Sequence, residues 1–426
     1  MLDIKFIKEN AHLVKENMKR KFQEKNLHFV NELLADHENS LKIRQEVESL
    51  RHKRNVVSEE INRLKKEGKD ISKKVKEMRD IPEAIKSLEE QLSNLESNIR
   101  LCLNNIPNIM HKDIPIGKDS TENVELKKIG KPRKISFEVK NHAQIGEALG
   151  VLDFTSSARV SGNGFYYMQK ELAILNQALL RFAIDTMIKK GFTYVETPLM
   201  VRGDVIRNVT DLNDQENQIY KIENDDLYLI GTSEHSLIGR YINANLEEKQ
   251  LPIKQTSYSM CFRKEKGSHG IDERGLYRTH QFNKIEMIVI CDPKDSMKHF
   301  KELQNITIEI FKSLGIPIRV LAICSGDLGN LKHIQVDIEA YSPRKKEYFE
   351  VGSCSNLTAA QANKLKIKVQ GKEEKYAPHT LNNTAIATSR ALVAILENFQ
   401  EKDGSVKIPK VLSKYMHGIK VIKPQK

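Results

Sequence analysis

The chain predicts an α+β protein: an N-terminal antiparallel α-helical coiled-coil arm, then a domain on a mixed, mainly antiparallel β-sheet flanked by helices. Three observations carry that reading. Two long polar stretches near the N-terminus keep an apolar stripe at heptad-like spacing. After residue 135, strand-like runs follow one another through loops instead of helical crossovers, as antiparallel pairing allows. One of those runs places cations, a ring and a carboxylate on the face where a half-buried strand carries Val, Ile or Leu.

The first element is an amphipathic helix, with Asp3 as its cap and Ile4, Ile7, Ala11, Val14 and Met18 at spacings of three and four. A second helix, from about residue 27 to 64, carries Ile43, Val47, Leu50, Val57, Ile61 and Leu64, a seam interrupted only at Arg54. At 1.5 Å per residue it reaches on the order of 55 Å. Glu67-Gly68-Lys69-Asp70 reads as a short turn. Ile85, Leu88, Leu92, Leu95 and Ile99 stripe the return helix, which Pro82 is expected to kink or restart. Matched narrow stripes on otherwise polar helices suit a protruding hairpin better than a bundle, whose helices need a wider apolar face. The arm then occupies residues 1–103, a linker rich in Pro, Gly, Asn and charge occupies 104–133, and the second domain occupies 134–426.

The 426 residues carry a net charge of +12, which favours a polyanionic partner. Half of that excess falls at the far end of the arm. Between residues 51 and 76, Arg51, Lys53, Arg54, Arg63, Lys65, Lys66, Lys69, Lys73, Lys74 and Lys76 face only Glu59, Glu60, Glu67 and Asp70. An exposed basic tip suits RNA backbone, read by shape and phosphate contacts. The longest apolar stretches fall far short of a membrane span and no apolar leader core is visible, so a cytoplasmic protein without a membrane partner is expected. Five scattered cysteines without a CxxC pair argue against a disulfide framework and against a thiolate zinc site.

In the second domain, strands are expected at 194–196, 227–230, 254–262, 277–290, 318–323, 333–341 and 347–353, and helices at 171–190, 294–314 and 385–399. Neither a P-loop nor a dinucleotide fingerprint occurs. In the run 277–290, alternation puts Arg278, His280, Phe282, Lys284 and Glu286 on one face. With Arg263-Lys264-Glu265 ending the preceding strand, that face reads as the floor of a pocket for an anionic ligand with a flat base, a description ATP fits. The run 264–275, with Gly267, Gly270 and Gly275, is long for a hairpin turn and suits a loop that closes on a ligand. Asp337 and Glu339 share a strand face and are left unassigned.

Phe262-Arg263-Lys264-Glu265 with Arg278, Phe282 and Glu286 resembles motif 2 of class II aminoacyl-tRNA synthetases, and His280-Gln281-Phe282-x-Lys284-x-Glu286 is similar to its seryl-tRNA synthetase form. Other stretches resemble that family in the same order: Asn105-Ile106-Pro107-Asn108, Gly191-Phe192-x-x-Val195-x-x-Pro198 (motif 1), Thr232-Ser233-Glu234, Glu350-Val351-x-Ser353-Cys354-Ser355-Asn356, and His379-Thr380-Leu381-Asn382-Asn383-Thr384 running to Arg390 (motif 3). The resemblance covers essentially the whole chain.

The resemblance implies a class II catalytic domain that activates L-serine with ATP to seryl-adenylate and pyrophosphate, then passes serine to the 3′ end of tRNA(Ser). Arg263 and Arg390 would be its catalytic cations. For ATP it implies Arg263, Glu265 on the adenine amino group, Phe282 and Arg390 on the two faces of the base, Arg278 at the γ-phosphate, and Glu350 with Ser353, which would also hold Mg²⁺. For serine it implies Thr232, Glu234, Arg263, Glu286, Asn382 and Thr384. A homodimer without zinc is implied, with the arm gripping the tRNA. Whether tRNA(Sec) is charged as well stays open. One departure is visible: the family's Asp-Phe-Gln-Ala-Arg-Arg run stands here as Ala359-Ala360-Gln361-Ala362-Asn363-Lys364, which puts local packing and handling of the acceptor end in question. A catalytically dead paralogue would lack Arg263, Glu286 or Arg390, and an enzyme charging a carrier protein would lack the arm; all of these are present.

Overall fold

A computed structural model describes residues 1–210, 218–265 and 275–424. The chain divides into two compact units, residues 2–107 and residues 108–426 together with Met1.

The first unit is helical. Asp3 caps α1 (Ile4–Glu9) by accepting from the Lys5 N–H, and Asn10 separates it from α2 (Ala11–Arg20), so the single expected helix is two. Ile7, Val14 and Met18 are fully buried all the same. The long helices are α3 (His28–Lys66), of 39 residues, and α4 (Ser72–Asn105), of 34. Between them the chain reverses at Gly68, whose φ of +66° needs a glycine. Lys69 N–H donates to Leu64 O at 3.0 Å and Gly68 N–H to Lys65 O at 3.4 Å, the paired bonds of a Schellman turn.

Val47, Ile81 and Ile85 are buried in the seam of the hairpin, with Ile43, Leu50 and Leu88 packed against them. Cross-helix ion pairs flank it: Arg44–Glu96 at 2.6 Å, Arg51–Glu89 at 2.7 Å, Lys53–Glu77 at 2.9 Å and Lys74–Glu60 at 2.7 Å. Helix α4 runs uninterrupted through Pro82 instead of restarting there. A proline removes one backbone donor, and Ile81 and Ile85, buried on either side of it, hold the turn in place. Among the described residues, Arg54, Arg63, Lys65, Lys66, Lys73 and Lys76 are exposed at the tip without a carboxylate partner.

The second unit holds eight strands in one sheet: β1 (Val124–Ile129), β2 (Thr193–Tyr194), β3 (Ile253–Phe262), β4 (Gln281–Cys291), β5 (Ile318–Ala322), β6 (Ile334–Ser342), β7 (Glu347–Thr358) and β8 (His379–Ala387). Their spatial order is β1-β5-β6-β7-β8-β4-β3-β2, antiparallel throughout except for β2 against β3. The helices that matter for the site are α5 (His142–Ala148), α6 (Lys170–Lys189), α7 (Gly203–Val209), α8 (Glu234–Gly239), α9 (Ser296–Leu314), α10 (Ala360–Lys364) and α11 (Thr388–Asn398).

Alternation along β4 does most of the positioning. Ile285, Met287 and Val289 enter the main core with Leu175 and Leu179 of α6, Leu303 and Phe311 of α9 and Leu392 of α11. Ile288 and Ile290 belong to a smaller core with Ile206, Leu237 and Leu365. Phe282, Lys284 and Glu286 are left facing the hollow between.

Three expectations are corrected. Residues 104–133 are not a linker: β1 pairs with β5, and the side-chain amide of Asn108 donates to the carbonyls of Leu331 and Leu357 at 3.0 and 2.9 Å, so the second unit starts at 108 and not at 134. The strand is exposed almost throughout, and its Lys and Glu residues are what an edge carries. Residues 385–387 continue a strand where a helix was expected, and that strand, β8, lies between β7 and β4. Its Thr and Asn hid it: Asn383 is buried and donates to Leu303 O at 2.8 Å. Finally, β4 starts at Gln281, so Arg278 and His280 precede the strand whose face they were expected to share. Residues 266–274, with Gly267 and Gly270 of the expected closing loop, lie outside the described residues.

Candidate active site

Two adjoining hollows open on the sheet face that β4, β7 and β8 present. The larger, of about 490 Å³, is lined by Thr232, Glu234, Glu286, Asn382 and Thr384 at one end and by Arg278, Glu350 and Ser353 elsewhere. The smaller takes in Phe282 and Tyr277. Arg263, Glu265, Lys284, Glu350, Thr384 and Arg390 line both. All twelve residues named for the site are thereby brought together.

At the first end the chemistry is acidic, with Glu286 buried and Glu234 half-buried. Glu234 sits at the start of α8, and its Oε1 accepts from Asn382 Nδ2 at 2.7 Å and from Gln361 Nε2 at 2.8 Å. Glu286 Oε2 receives Lys284 Nζ at 2.5 Å and the Thr384 hydroxyl at 3.4 Å. Thr232 Oγ1 accepts from the Glu234 N–H at 3.3 Å. Burial first, and then the charge of Glu286, raise the Glu234 carboxyl above its ordinary range; Gln361, Lys284 and Asn382 work against that rise. Burial, Lys284 and Arg263 push the neighbouring His235 down to about 3, so the imidazole is neutral.

The other end is cationic. Arg263 donates from Nε to Gly231 O at 3.3 Å, and its guanidinium lies 5.3 Å from the centre of the Phe282 ring. Arg278 is 3.6 Å from Glu265. Arg390 reaches Glu350 Oε2 at 3.0 Å and lies 5.1 Å from the centre of the Tyr277 ring. Tyr277 is held from behind: the Leu276 N–H donates to His142 Nε2 at 3.1 Å, and His142 Nδ1 lies 3.5 Å from the buried Glu397. A Cβ on Gly275 would stand 2.2 Å from His142 Nε2, so only glycine fits there.

Glu350 and Ser353 are three apart, and on a regular strand they would point to opposite faces. The register slips between Ile338↔Gly352 and Glu339↔Glu350, leaving Val351 as an extra residue. This bulge turns both side chains into the cavity. It also separates Asp337 from Glu339. Asp337 lines the cavity opposite Ser353, and burial, then the Glu350 carboxylate, raise it. Glu339 instead pairs with Arg319 at 2.5 Å.

His280 does not join the floor. Its Nδ1 is 2.9 Å from both the Tyr220 hydroxyl and the Arg263 carbonyl, which ties the end of β3 to the approach to β4. Asp337 and Gln361 are among the cavity residues that went unassigned. Asp337 was visible on its strand but indistinguishable from Glu339 without the bulge. Gln361 is almost wholly buried in α10, where it donates to Glu234 and to Val209 O (3.2 Å) and accepts from Thr380 (2.8 Å). It is the glutamine retained within the run that departs from the family pattern; Lys364 of that run donates to Thr210 O at 3.3 Å.

An antiparallel sheet with Arg263, Arg390, Glu234 and Glu286 gathered over one face, from its strands and the helices beside it, defines a class II aminoacyl-tRNA synthetase core. Residues 219–399 match the model of the tRNA synthetase class II core domain (G, H, P, S and T), and residues 1–110 match that of the seryl-tRNA synthetase N-terminal domain. A serine–tRNA ligase of Methanocella arvoryzae is 45% identical over 99% of this chain and 100% of its own. Seryl-tRNA synthetase of Pyrococcus horikoshii, solved with ATP, superposes with a TM-score of 0.90 at 41% identity over the full length of both chains. The cytoplasmic serine–tRNA ligase of Naegleria fowleri, solved with AMP, gives 0.86 at 32%, covering 100% of this chain and 99% of its own. The chain belongs to the seryl-tRNA synthetase family.

Proposed function

We propose that the protein activates L-serine with ATP, releasing pyrophosphate, and transfers serine from the adenylate to the 3′ end of tRNA(Ser). The observation that carries this reading is the junction of an end holding the buried Glu286 and the half-buried Glu234 with a cationic end in adjoining hollows. Glu234 and Glu286 take the ammonium and the hydroxyl, with Thr232, Asn382 and Thr384 completing the small pocket. Buried acceptors penalise alanine, which leaves them unpaired, and the small volume excludes threonine.

At the cationic end Phe282 and Arg390 flank the adenine, Glu265 accepts from its amino group and Arg278 meets the γ-phosphate. Arg263 forks across the serine carboxylate and the α-phosphate, two anions that repel until a fixed cation joins them. One carboxylate oxygen bonds to the α-phosphorus as the bond to pyrophosphate breaks. The tRNA hydroxyl then attacks the serine carbonyl and AMP leaves, so no enzyme nucleophile is needed. Glu350 and Ser353 offer hard oxygens on one face, beside an Asp337 carboxyl that is already charge-crowded, and this set fits Mg²⁺. Magnesium bound there would neutralise nucleotide phosphate charge.

The arm's tip would grip the tRNA, and a homodimer acting in the cytoplasm completes the reading. Among the described residues no helix is long and apolar enough to cross a membrane. Pyrophosphate exchange with each of the common amino acids tests the proposal: serine alone should support exchange, and exchange with another amino acid in its place would overturn it.

A further inference from the structure

The nucleotide end of the site depends on a short stretch of main chain that belongs to no strand. Residues 275–279 precede β4, which begins at Gln281. They nevertheless carry Tyr277, whose ring faces the Arg390 guanidinium, and Arg278, assigned to the γ-phosphate. Leu276 anchors the stretch by its side chain, which is buried in the main core. Tyr277 has less around it. Its ring lines the nucleotide hollow and also a separate one of about 250 Å³, shared with His142, Arg344 and Glu397. Phe349 meets it edge-on, with ring centres 5.6 Å apart.

The remaining tie runs through the backbone. The Leu276 N–H donates to His142 Nε2 at 3.1 Å, and the approach needs a bare Cα at Gly275, whose φ is +132°. A main-chain N–H can only donate, so Nε2 holds a lone pair and the neutral imidazole carries its proton on Nδ1. Nδ1 lies 3.5 Å from Glu397 Oε1, a long contact with a group that accepts. Burial would raise the Glu397 carboxyl; His142, the Ser342 hydroxyl and Arg344 hold it below its ordinary range, so it is ionised. The ring is also set from its own side, because His142 opens α5 behind the capping box of Asn141 and Gln144. Glu397 stands seven residues after Arg390, two turns along the same face of α11. One imidazole thus connects the helix that presents Arg390 with the main chain that presents Tyr277 and Arg278.

We propose that His142, protonated on Nδ1 and oriented by Glu397, is a positioning residue for ATP, fixing Tyr277 and Arg278 relative to Arg390 and taking no part in the binding of serine. It touches no substrate and moves no proton. The inference rests on the assignment of this end of the site to ATP.

The test measures equilibrium binding of ATP and of L-serine, with thermal unfolding, for the full chain and for His142→Asn and His142→Gln. The asparagine amide reaches only the place of Nδ1, so it keeps a donor toward Glu397 and strands the Leu276 N–H; the glutamine amide oxygen reaches the place of Nε2 and keeps the acceptor. His142→Asn should weaken ATP about tenfold and leave serine affinity unchanged. His142→Gln should hold ATP affinity to within about threefold of wild type. Wild type supplies a readout that depends on no variant: nitrogen NMR of the His142 ring should show Nδ1 protonated and Nε2 bare. The opposite tautomer overturns the inference. So does equal weakening of ATP and serine in His142→Asn, which a merely structural role would give, or ATP affinity unmoved in that variant, or lost as far in His142→Gln as in His142→Asn. A wild type that binds no ATP overturns the functional reading, and the inference with it.

Discussion

The arm and the sheet domain are stabilised in opposite ways, and the contrast shows where each can change. In the outer arm, between residues 41 and 90, Val47, Val57, Ile81 and Ile85 make a thin buried seam, and nearly everything else meets water. In the sheet domain, Glu286, Lys284, Gln361, Thr384 and Asn383 are all buried, each with a named partner. Arm residues act through exposed charge, one by one. Site residues act through partners, so removing one leaves another uncompensated.

The strongest break in that contrast is Glu286→Gln, which keeps the shape of the side chain and strands Lys284. Serine-dependent pyrophosphate exchange should fall roughly a thousandfold while ATP affinity changes little. Unchanged serine affinity in this variant would remove Glu286 from the pocket.

Deleting residues 51–76 and rejoining the helices with a short turn should do the reverse. Exchange should stay near wild type, and aminoacylation should drop about a hundredfold through tRNA affinity. A shallower dependence of that affinity on salt would accompany it. Full aminoacylation by the shortened protein would move tRNA recognition onto the sheet domain.

Smaller, and confined to the sheet domain, is the effect of Gln361→Ala. Losing one bond to a charged group should raise the KM for serine about tenfold. Gln361 holds the Glu234 carboxyl down against burial, so its removal lifts that group further and moves the acid limb of kcat/KM for serine to higher pH. A pH profile superimposable on wild type would make Gln361 a packing residue only.

The smallest effect belongs to Arg51→Ala. Its 2.7 Å pair with Glu89 joins two half-exposed side chains, and chemical denaturation should register under about 1 kcal/mol. A larger loss would mean that surface pairs, and not the seam, hold the hairpin together.

The same contrast governs what could be read from residues alone. The arm was legible because heptad spacing and charge are local properties: α3 ends at Lys66, close to the expected 64, and Gly68 turns the chain as anticipated. The face formed by Phe282, Lys284 and Glu286 was legible too, since alternation along one strand needs no knowledge of its neighbours. The bulge at Val351 was not, because a register slip belongs to a pair of strands. Without it, Glu350 and Ser353 could be grouped only by family likeness, and Asp337 could not be told from Glu339. Strand β8 was missed for a related reason. Buried Thr and Asn read as loop until their partners on α9 and α10 are known.

The thin seam of the hairpin has one more consequence. Two helices joined by a turn form a nearly one-dimensional object, in which each layer touches only the layers before and after it, so that stability accumulates along its length. Fraying should begin at the Schellman turn around Gly68 and advance toward Val47 and Ile85, giving amide-exchange protection that climbs residue by residue along the arm. An RNA gripping the tip would freeze those fluctuations, and part of its recognition would then be registered as entropy lost by the protein and not as contacts formed.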